Sequence, residues 1–408
     1  MTDFATRARD ALAEQGISMR QAARALNYDV AYLSRVLKGR QRPSENLRRG
    51  LDRLTGADGA LLAASAGAEV GAAVSDAGDG GGDDLEAVEL ARRVRASDVG
   101  AETLERLESA FDEFAVRYQT ASPPELLRDV RQHLGYVTKL LDDRKTLSEH
   151  RRLIVLGGWL SLLAATLHVD LRQSRAAAAR LTTAASLAQH AGHPEIHAWT
   201  YETEAWRALT TGDYPRAVEL SQAAQHVAPR GGSAELQAAA QEGRARARLG
   251  QRREAYDAIE RVQRLATSMV LRAQPEHHYQ YDPAKATSYT ATTLAWMGDP
   301  AAEQPAREVI AQFQLGSDAM SWPRRAVSAH IDLALTLLSC GRLDEACDAT
   351  RRAIASGRLL PANHWRALEI VRAVEGHGLP EAVELREAYE ELRLGVASGE
   401  LRGEAGSR

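Results

Sequence analysis

Between Ser18 and Ser44 the chain reads SMRQAARALNYDVAYLSRVLKGRQRPS, and here its side chains are best spaced for chemistry. Ala31, Ser34, Arg35 and Lys38 recur at the spacing that places residues on one face of a helix. Arg35 sits where a guanidinium can donate two parallel hydrogen bonds to the edge of a guanine, and Ala31 where a methyl group can touch that of thymine. A phosphate clamp is the alternative role for Arg35, since most protein–DNA hydrogen bonds go to the backbone. Tyr32 and Ser34 are hydroxyl donors suited to phosphate. Lys38, Arg40 and Arg42 suit it by charge, and Ser18 and Arg20 open the preceding helix toward the same partner. Arg48, Arg49 and Arg53 read as a solvated face.

These groups need two short helices and a tight turn to hold them. Ser18 is a good N-cap, and Gln21 three residues on completes a capping box. Ala22, Ala23 and Leu26 share one face of the helix that follows. Asn27-Tyr28-Asp29 interrupts it, since Asn tolerates the left-handed conformation and Asp29 can cap the next helix. Val30, Leu33, Val36 and Leu37 form the apolar stripe of that second helix, with Val30 either core or the lip of the thymine contact. Gly39 stops it, and Pro43-Ser44 starts another with the stripe Leu47, Leu51 and Leu54. A first helix from Phe4 to Gln15, with Phe4, Ala8 and Leu12 on one face, packs behind the pair. The arrangement is a helix-turn-helix.

In these residues the first 56 positions resemble the Cro/repressor-type (XRE) family. The resemblance rests on Ser18 as cap, Ala23 where the helices touch, Leu33-Ser34 in the second helix, and Gly39 followed by Arg40, Arg42, Pro43 and Ser44. Met19 stands where the family usually has Gln, which removes one phosphate-directed amide, and Asn27 replaces the usual turn glycine.

At 408 residues, with 44% hydrophobic but only 5% aromatic side chains, the chain can bury a large core built from helix formers. Its net charge of −4 is unevenly spread. Residues 1–56 hold 11 Lys or Arg against 6 Asp or Glu, a basic head on an acidic body. Such a protein offers nucleic acid one face only. Cys340 and Cys347 fit neither a metal motif nor a redox pair and suit a reducing cytoplasm. The uncharged run from Leu153 to Val169 is short for a membrane span and reads as a buried core helix. In 57–84 the glycines do not form GxGxxG, and the aspartates do not match a calcium loop. The segment reads as a flexible Gly/Ala/Asp linker.

From Leu85 onward every stretch has helical periodicity. Leu85–Arg95, Ala101–Thr120 and Glu125–Asp143 are connecting helices (85–145). Across 146–395 an approximate repeat follows: Gly212, Gly250, Gly298, Gly341 and the pair Gly376/Gly378 each punctuate two helices with small residues where they cross. The first pair is expected at His150–Val169 with Ser174–His190. Residues 396–408 read as a disordered tail. The fold class is therefore all-α, a helix-turn-helix domain (1–56) plus a helical solenoid whose units resemble tetratricopeptide repeats. Head, linker and array together resemble a class of actinobacterial regulators and, in architecture, the peptide-sensing quorum regulators of Gram-positive bacteria.

That resemblance implies a cytoplasmic, sequence-specific transcription regulator, a homodimer on a palindromic stretch of double-stranded DNA. A peptide or small-molecule effector would lie in the groove of the repeats. Candidate groove residues are Trp159, Trp206, His277, His278, Tyr281, Arg324, Arg325 and Trp365, with the polar, aromatic segment 277–282 lining the concave face. No cofactor and no metal are expected, because adjacent histidines on a helix point apart and no HxxxH is present. The chain has no GxSxG, Walker A, HExxH or CxxC, so it is not read as an enzyme. The alternative is a protein-interaction scaffold that the head tethers to DNA.

Overall fold

The computed structural model describes residues 2–26, 28, 30–38, 43–57, 59, 88–90, 92, 97–269, 277–281, 284–314 and 324–405. Among them there is no strand: the protein is all-α. It divides into two units, Met1–Arg93 and Val94–Arg408.

In the first unit the described residues include the helices α1 (Thr2–Glu14), α2 (Met19–Ala25), α3 (Val30–Leu37) and α4 (Glu45–Thr55). Ser18 caps α2 through the full capping box, with the Gln21 amide donating to its hydroxyl and Gln21 Oε1 accepting from the Ser18 amide at 2.9 Å. Ser44 caps α4, accepting from the Leu47 amide at 3.2 Å, and Gly56 ends it in the left-handed conformation. Phe4, Ala8, Leu12, Ala22, Ala23, Leu33, Val36, Leu37, Leu47 and Leu51 form one core. Val30, a candidate for the buried stripe and the first residue of α3, is 40% exposed. The linker 57–84 falls almost wholly outside the described residues.

Among its described residues the second unit has α5 (Ala101–Arg117) and α6 (Pro123–Asp142), followed by six helix pairs. These are α7 (Leu147–Asp170) with α8 (Ser174–Ala191), α9 (Pro194–Thr210) with α10 (Tyr214–Val227), and α11 (Ser233–Arg248) with α12 (Arg252–Thr267). Then come α13 (Ala284–Trp296) with α14 (Glu303–Gln314), α15 (Arg324–Ser339) with α16 (Leu343–Ala355), and α17 (His364–Gly376) with α18 (Glu381–Ala405). Within each pair the helices pack on each other, and the first helix of each pair also packs on the first helix of the next, from α7 through α17. Stacking of that kind makes a curved array with one inner face. Side chains show its tightness: Arg248 of α11 reaches Glu369 of α17, and Arg324 of α15 reaches Asp170 of α7.

Five pairs turn on a glycine with positive φ, Gly212, Gly250, Gly298, Gly341 and Gly378. The α7–α8 turn uses Arg172 at φ 59 instead. α7 is apolar and long enough to cross a membrane, but 83% of its most apolar window is buried inside the fold, so it is a core helix.

Two expectations need correction. The helices before the array are not a separate connector. Leu104, Leu107, Phe111 and Phe114 of α5 and Leu126, Val130, Leu134 and Val137 of α6 share one core with α7 and with Trp199, because their stripes are as apolar as those of the array. And α18 runs as helix to Ala405 rather than losing structure at 396, in keeping with the Ala, Leu, Glu and Arg that dominate there.

Candidate functional site

In the head, α3 and the turn that ends it present two cations to solvent. Arg35 and Lys38 are exposed, while Leu33, Val36 and Leu37 on the other side of the same helix are locked in the core. Arg20 at the start of α2 is exposed as well. Ser34 is half-buried. Tyr32 is half-buried too, its ring stacked on Tyr28 at 5.6 Å, and the Tyr28 hydroxyl lies 3.2 Å from Ser44 Oγ. The ring of Tyr32 therefore braces α3 against the start of α4. Ser18 differs in kind from the residues it was grouped with: its hydroxyl donates to Gln21 Oε1 at 2.7 Å, so its work is to hold the helix start. The α3 backbone includes Ala31, whose side chain lies outside the described residues, as do Arg40 and Arg42 entirely. A helix whose outward face and end carry Arg and Lys and whose inward face is rigidly packed can enter a major groove without losing its own structure.

In the body, the candidate groove residues separate into two places. Trp159, His277, His278 and Arg324 meet at the first. The segment 277–281 runs across the inner face there, with Tyr279 as its anchor. Tyr279 is 3% exposed and stands among Phe111 of α5, Trp159 of α7 and Trp199 of α9, with ring centroids at 6.0, 5.1 and 5.1 Å. Its hydroxyl is 3.2 Å from Thr166 Oγ1. The His278 amide donates to the Ala115 carbonyl at 3.1 Å, and its ring packs on Tyr118 at 4.1 Å. Lys285 Nζ donates to the carbonyls of His277, His278 and Gln280, tying the segment to α13. His277 faces Asp112 at 3.3 Å. Arg324 lies over the Tyr118 ring at 3.9 Å and donates to Asp170 at 2.8 Å; Tyr118 donates to the same carboxylate at 2.9 Å.

Burial decides the protonation here. It pushes His278 well below the ordinary histidine value, reinforced by the Lys285 and Arg324 charges, so the ring is neutral. It also raises the Tyr118 phenol and the Asp170 carboxyl. These residues were expected to line the concave face; there they are packed against the protein's own helices, with Tyr279 as the aromatic filling. Tyr281 sits apart, 8% exposed, in a smaller cluster with Leu236, Val262 and Tyr289, its amide donating to Ser233 Oγ at 2.9 Å.

Trp206 and Trp365 belong to the second place, farther along the same face. Both are half-buried. Arg244 lies over Trp206 and Tyr289, and Arg248 over Trp296 and Trp365. Arg325 instead lies over Phe313 of α14 at 6.0 Å. Sequence reading did not group Arg244, Arg248 and Trp296, since only helix stacking brings them together. Among the described residues no group of three His, Cys, Asp or Glu side chains is gathered for a metal ion. On the outer side, between α14, α15 and α16, lies a groove of about 550 Å³ with an apolar floor at Ile310, Leu333 and Leu337 and a charged rim at Arg307, Glu345, Asp348 and Arg352.

Comparison with known proteins agrees with the head. No curated protein matches the chain. Residues 3–64 match a family model described as a helix-turn-helix domain, which covers α1 to α4. The protein thus carries an N-terminal helix-turn-helix domain, which supports DNA binding, ahead of an all-helical body.

Proposed function

We propose that this protein is a sequence-specific DNA-binding transcription regulator of the Cro/repressor (XRE) type, working in the cytoplasm. Its helical body would be a tetratricopeptide-like receptor for a peptide or small molecule. The observation that carries the reading is α3 itself, a packed helix in a helix-turn-helix domain whose outward cations are Arg35 and Lys38. In this reading Arg35 reads a guanine, and Lys38 and Arg20 hold phosphates. One small helix-turn-helix makes few base contacts, so the protein acts as a homodimer on a palindrome, with half-sites about 10 bp or a multiple of it apart. The body has no catalytic role and needs no cofactor. What supports a receptor is the stacking of the first helices of successive pairs, which gathers aromatic and cationic side chains on one face.

Selection of bound sequences from random DNA by the purified protein tests this directly. Enrichment of a palindrome with that spacing is the expected result. Weak, salt-sensitive binding with no enriched sequence would defeat it. A second reading makes the body a scaffold that the head tethers to DNA. The outer groove of about 550 Å³, with its apolar floor and charged rim, favours it, and co-purification of a stoichiometric partner protein would establish it.

A further inference from the structure

The second cluster on the inner face is rich in hydrogen-bond donors. Arg244 of α11 is held between Trp206 of α9 at 5.6 Å and Tyr289 of α13 at 4.5 Å. Arg248, one turn on, is held between Trp296 at 4.7 Å and Trp365 of α17 at 4.9 Å, with both terminal nitrogens 3.0 Å from the Glu369 carboxylate. Arg366 of α17 lies over Trp296 at 5.3 Å and donates to Ser328 and Asp332. Asp332 also accepts from Thr292 Oγ1 at 2.6 Å, so its oxygens are in use. Arg244 donates to Gln241 Oε1 and faces the buried Glu202 carboxylate, so the three guanidinium groups lie among three carboxylates, Glu202, Asp332 and Glu369. The closeness of the guanidinium groups depresses the affinity of Arg366 for its proton, after burial, which is the larger cause.

After these internal bonds, six buried nitrogens remain without an acceptor among the described residues. They are Nε of Arg244, Arg248 and Arg366, the indole nitrogens of Trp296 and Trp365, and the amide nitrogen of Gln241. Every one is a donor. Gln241, Arg366 and Arg244 are 0%, 2% and 8% exposed, so bulk water does not serve them. A network built only to hold helices together satisfies its members. Donors left over on guanidinium and indole groups call for clustered oxygen acceptors carrying negative charge. Stacking on indole keeps each guanidinium plane fixed, which favours planar, bidentate recognition.

We propose that this part of the inner face, centred on Arg244 and Arg248 and completed by the indole N–H of Trp296 and Trp365, binds an oxyanionic ligand, a carboxylate or a phosphate. The inference rests on the reading of the body as a receptor and names the chemistry it receives.

Isothermal titration of the full chain with pyrophosphate and with citrate, against chloride at matched ionic strength, tests it. Binding of one anion per chain is expected. Tighter binding of pyrophosphate identifies a phosphate ligand, and tighter binding of citrate a carboxylate. Arg244→Gln should weaken binding at least about tenfold, the loss of one charge-assisted contact. Trp365→Phe keeps the half-buried ring and every charge but removes the indole donor. It should weaken binding several-fold with unchanged circular dichroism. The inference is overturned if neither anion binds beyond the chloride control, or if both variants bind like the wild type, which would put the anion on the basic head. Anion binding that is lost in the variants but leaves DNA affinity unchanged would uphold the site and refute regulation through it.

Discussion

Replacing Tyr279 probes the packing that sequence left undecided. In Tyr279→Ala a nearly fully buried aromatic ring disappears from among Phe111, Trp159 and Trp199, three rings on three different helices. Truncation of a buried aromatic costs about 3–5 kcal/mol, and the ring pairs place this site toward the upper half of that range. Tyr279→Phe removes only the hydroxyl. Thr166 keeps its hydrogen bond to the Leu162 carbonyl at 3.1 Å, so no donor is orphaned there and the cost should be about 1 kcal/mol. Against a total of about 5–15 kcal/mol for a domain, the alanine variant should lower the urea midpoint severely and the phenylalanine variant slightly. Tryptophan fluorescence is a suitable signal because Trp159 and Trp199 flank the site. The alanine variant should also speed amide exchange in α5, whose Ala115 carbonyl accepts from His278. An alanine variant that loses less than about 1 kcal/mol would mean that the segment 277–281 is not seated in the core, and the reasoning would fall.

Three further predictions concern base reading, backbone strain and pH. Arg35→Ala should relax preference at one base pair of each half-site by about 1–3 kcal/mol, whereas Lys38→Ala should weaken all sequences alike and shrink the salt slope by about 1. Equal loss on all DNA in Arg35→Ala, read by selection from a random pool, would make Arg35 a phosphate clamp. Arg172→Gly should raise stability by up to about 1 kcal/mol, since φ 59 strains a side-chain-bearing residue; a lower midpoint on thermal unfolding would show that the Arg172 side chain contributes more than its backbone costs. His330 is pushed down to about 4 by burial, with Arg352 adding to the effect. Its neutral form is the one the fold accepts, so its contribution is present above its unfolded value near 6.5 and is lost as pH falls from there through about 4. The slope amounts to roughly 3 kcal/mol at most over that interval. Urea unfolding across pH 4 to 7 should show it, and His330→Gln should flatten it; an unflattened slope would assign the acid sensitivity elsewhere, His278 being the first alternative.

How much was legible in the sequence differs between the two units for a physical reason. The head is local. Ser18 and Gln21 touch because they are one helical turn apart, and Leu33, Val36 and Leu37 face inward because the period of a helix places them there. Caps, stripes and the placement of Arg35 and Lys38 on the outer face follow from spacing alone. Gly50 marks the limit even here: a Cβ at that position would lie 3.0 Å from the Leu26 side chain, a contact between α4 and the end of α2 that spacing alone does not reveal. In the body, glycine punctuation and small-residue spacing gave away the helix pairs, and the pair that escaped the glycine rule did so because Arg172 takes the left-handed position.

Sequence by itself thus determined which segments are helical, where most of them turn, that the head is basic and the body acidic, and which cations of α3 face outward. These depend on neighbours within about one turn, on propensity and on charge. Only the tertiary structure decided what occupies the inner face. Tyr279 meets Thr166 across 113 positions, Arg324 meets Asp170 across 154, and Arg248 meets Glu369 across 121. Such contacts arise from the curvature of the stacked helices, a sum of many small packing angles that no single stretch of sequence encodes. The same curvature buried the histidine and tyrosine segment read as lining the concave face and brought Arg244, Arg248 and Arg366 into one donor-rich cluster.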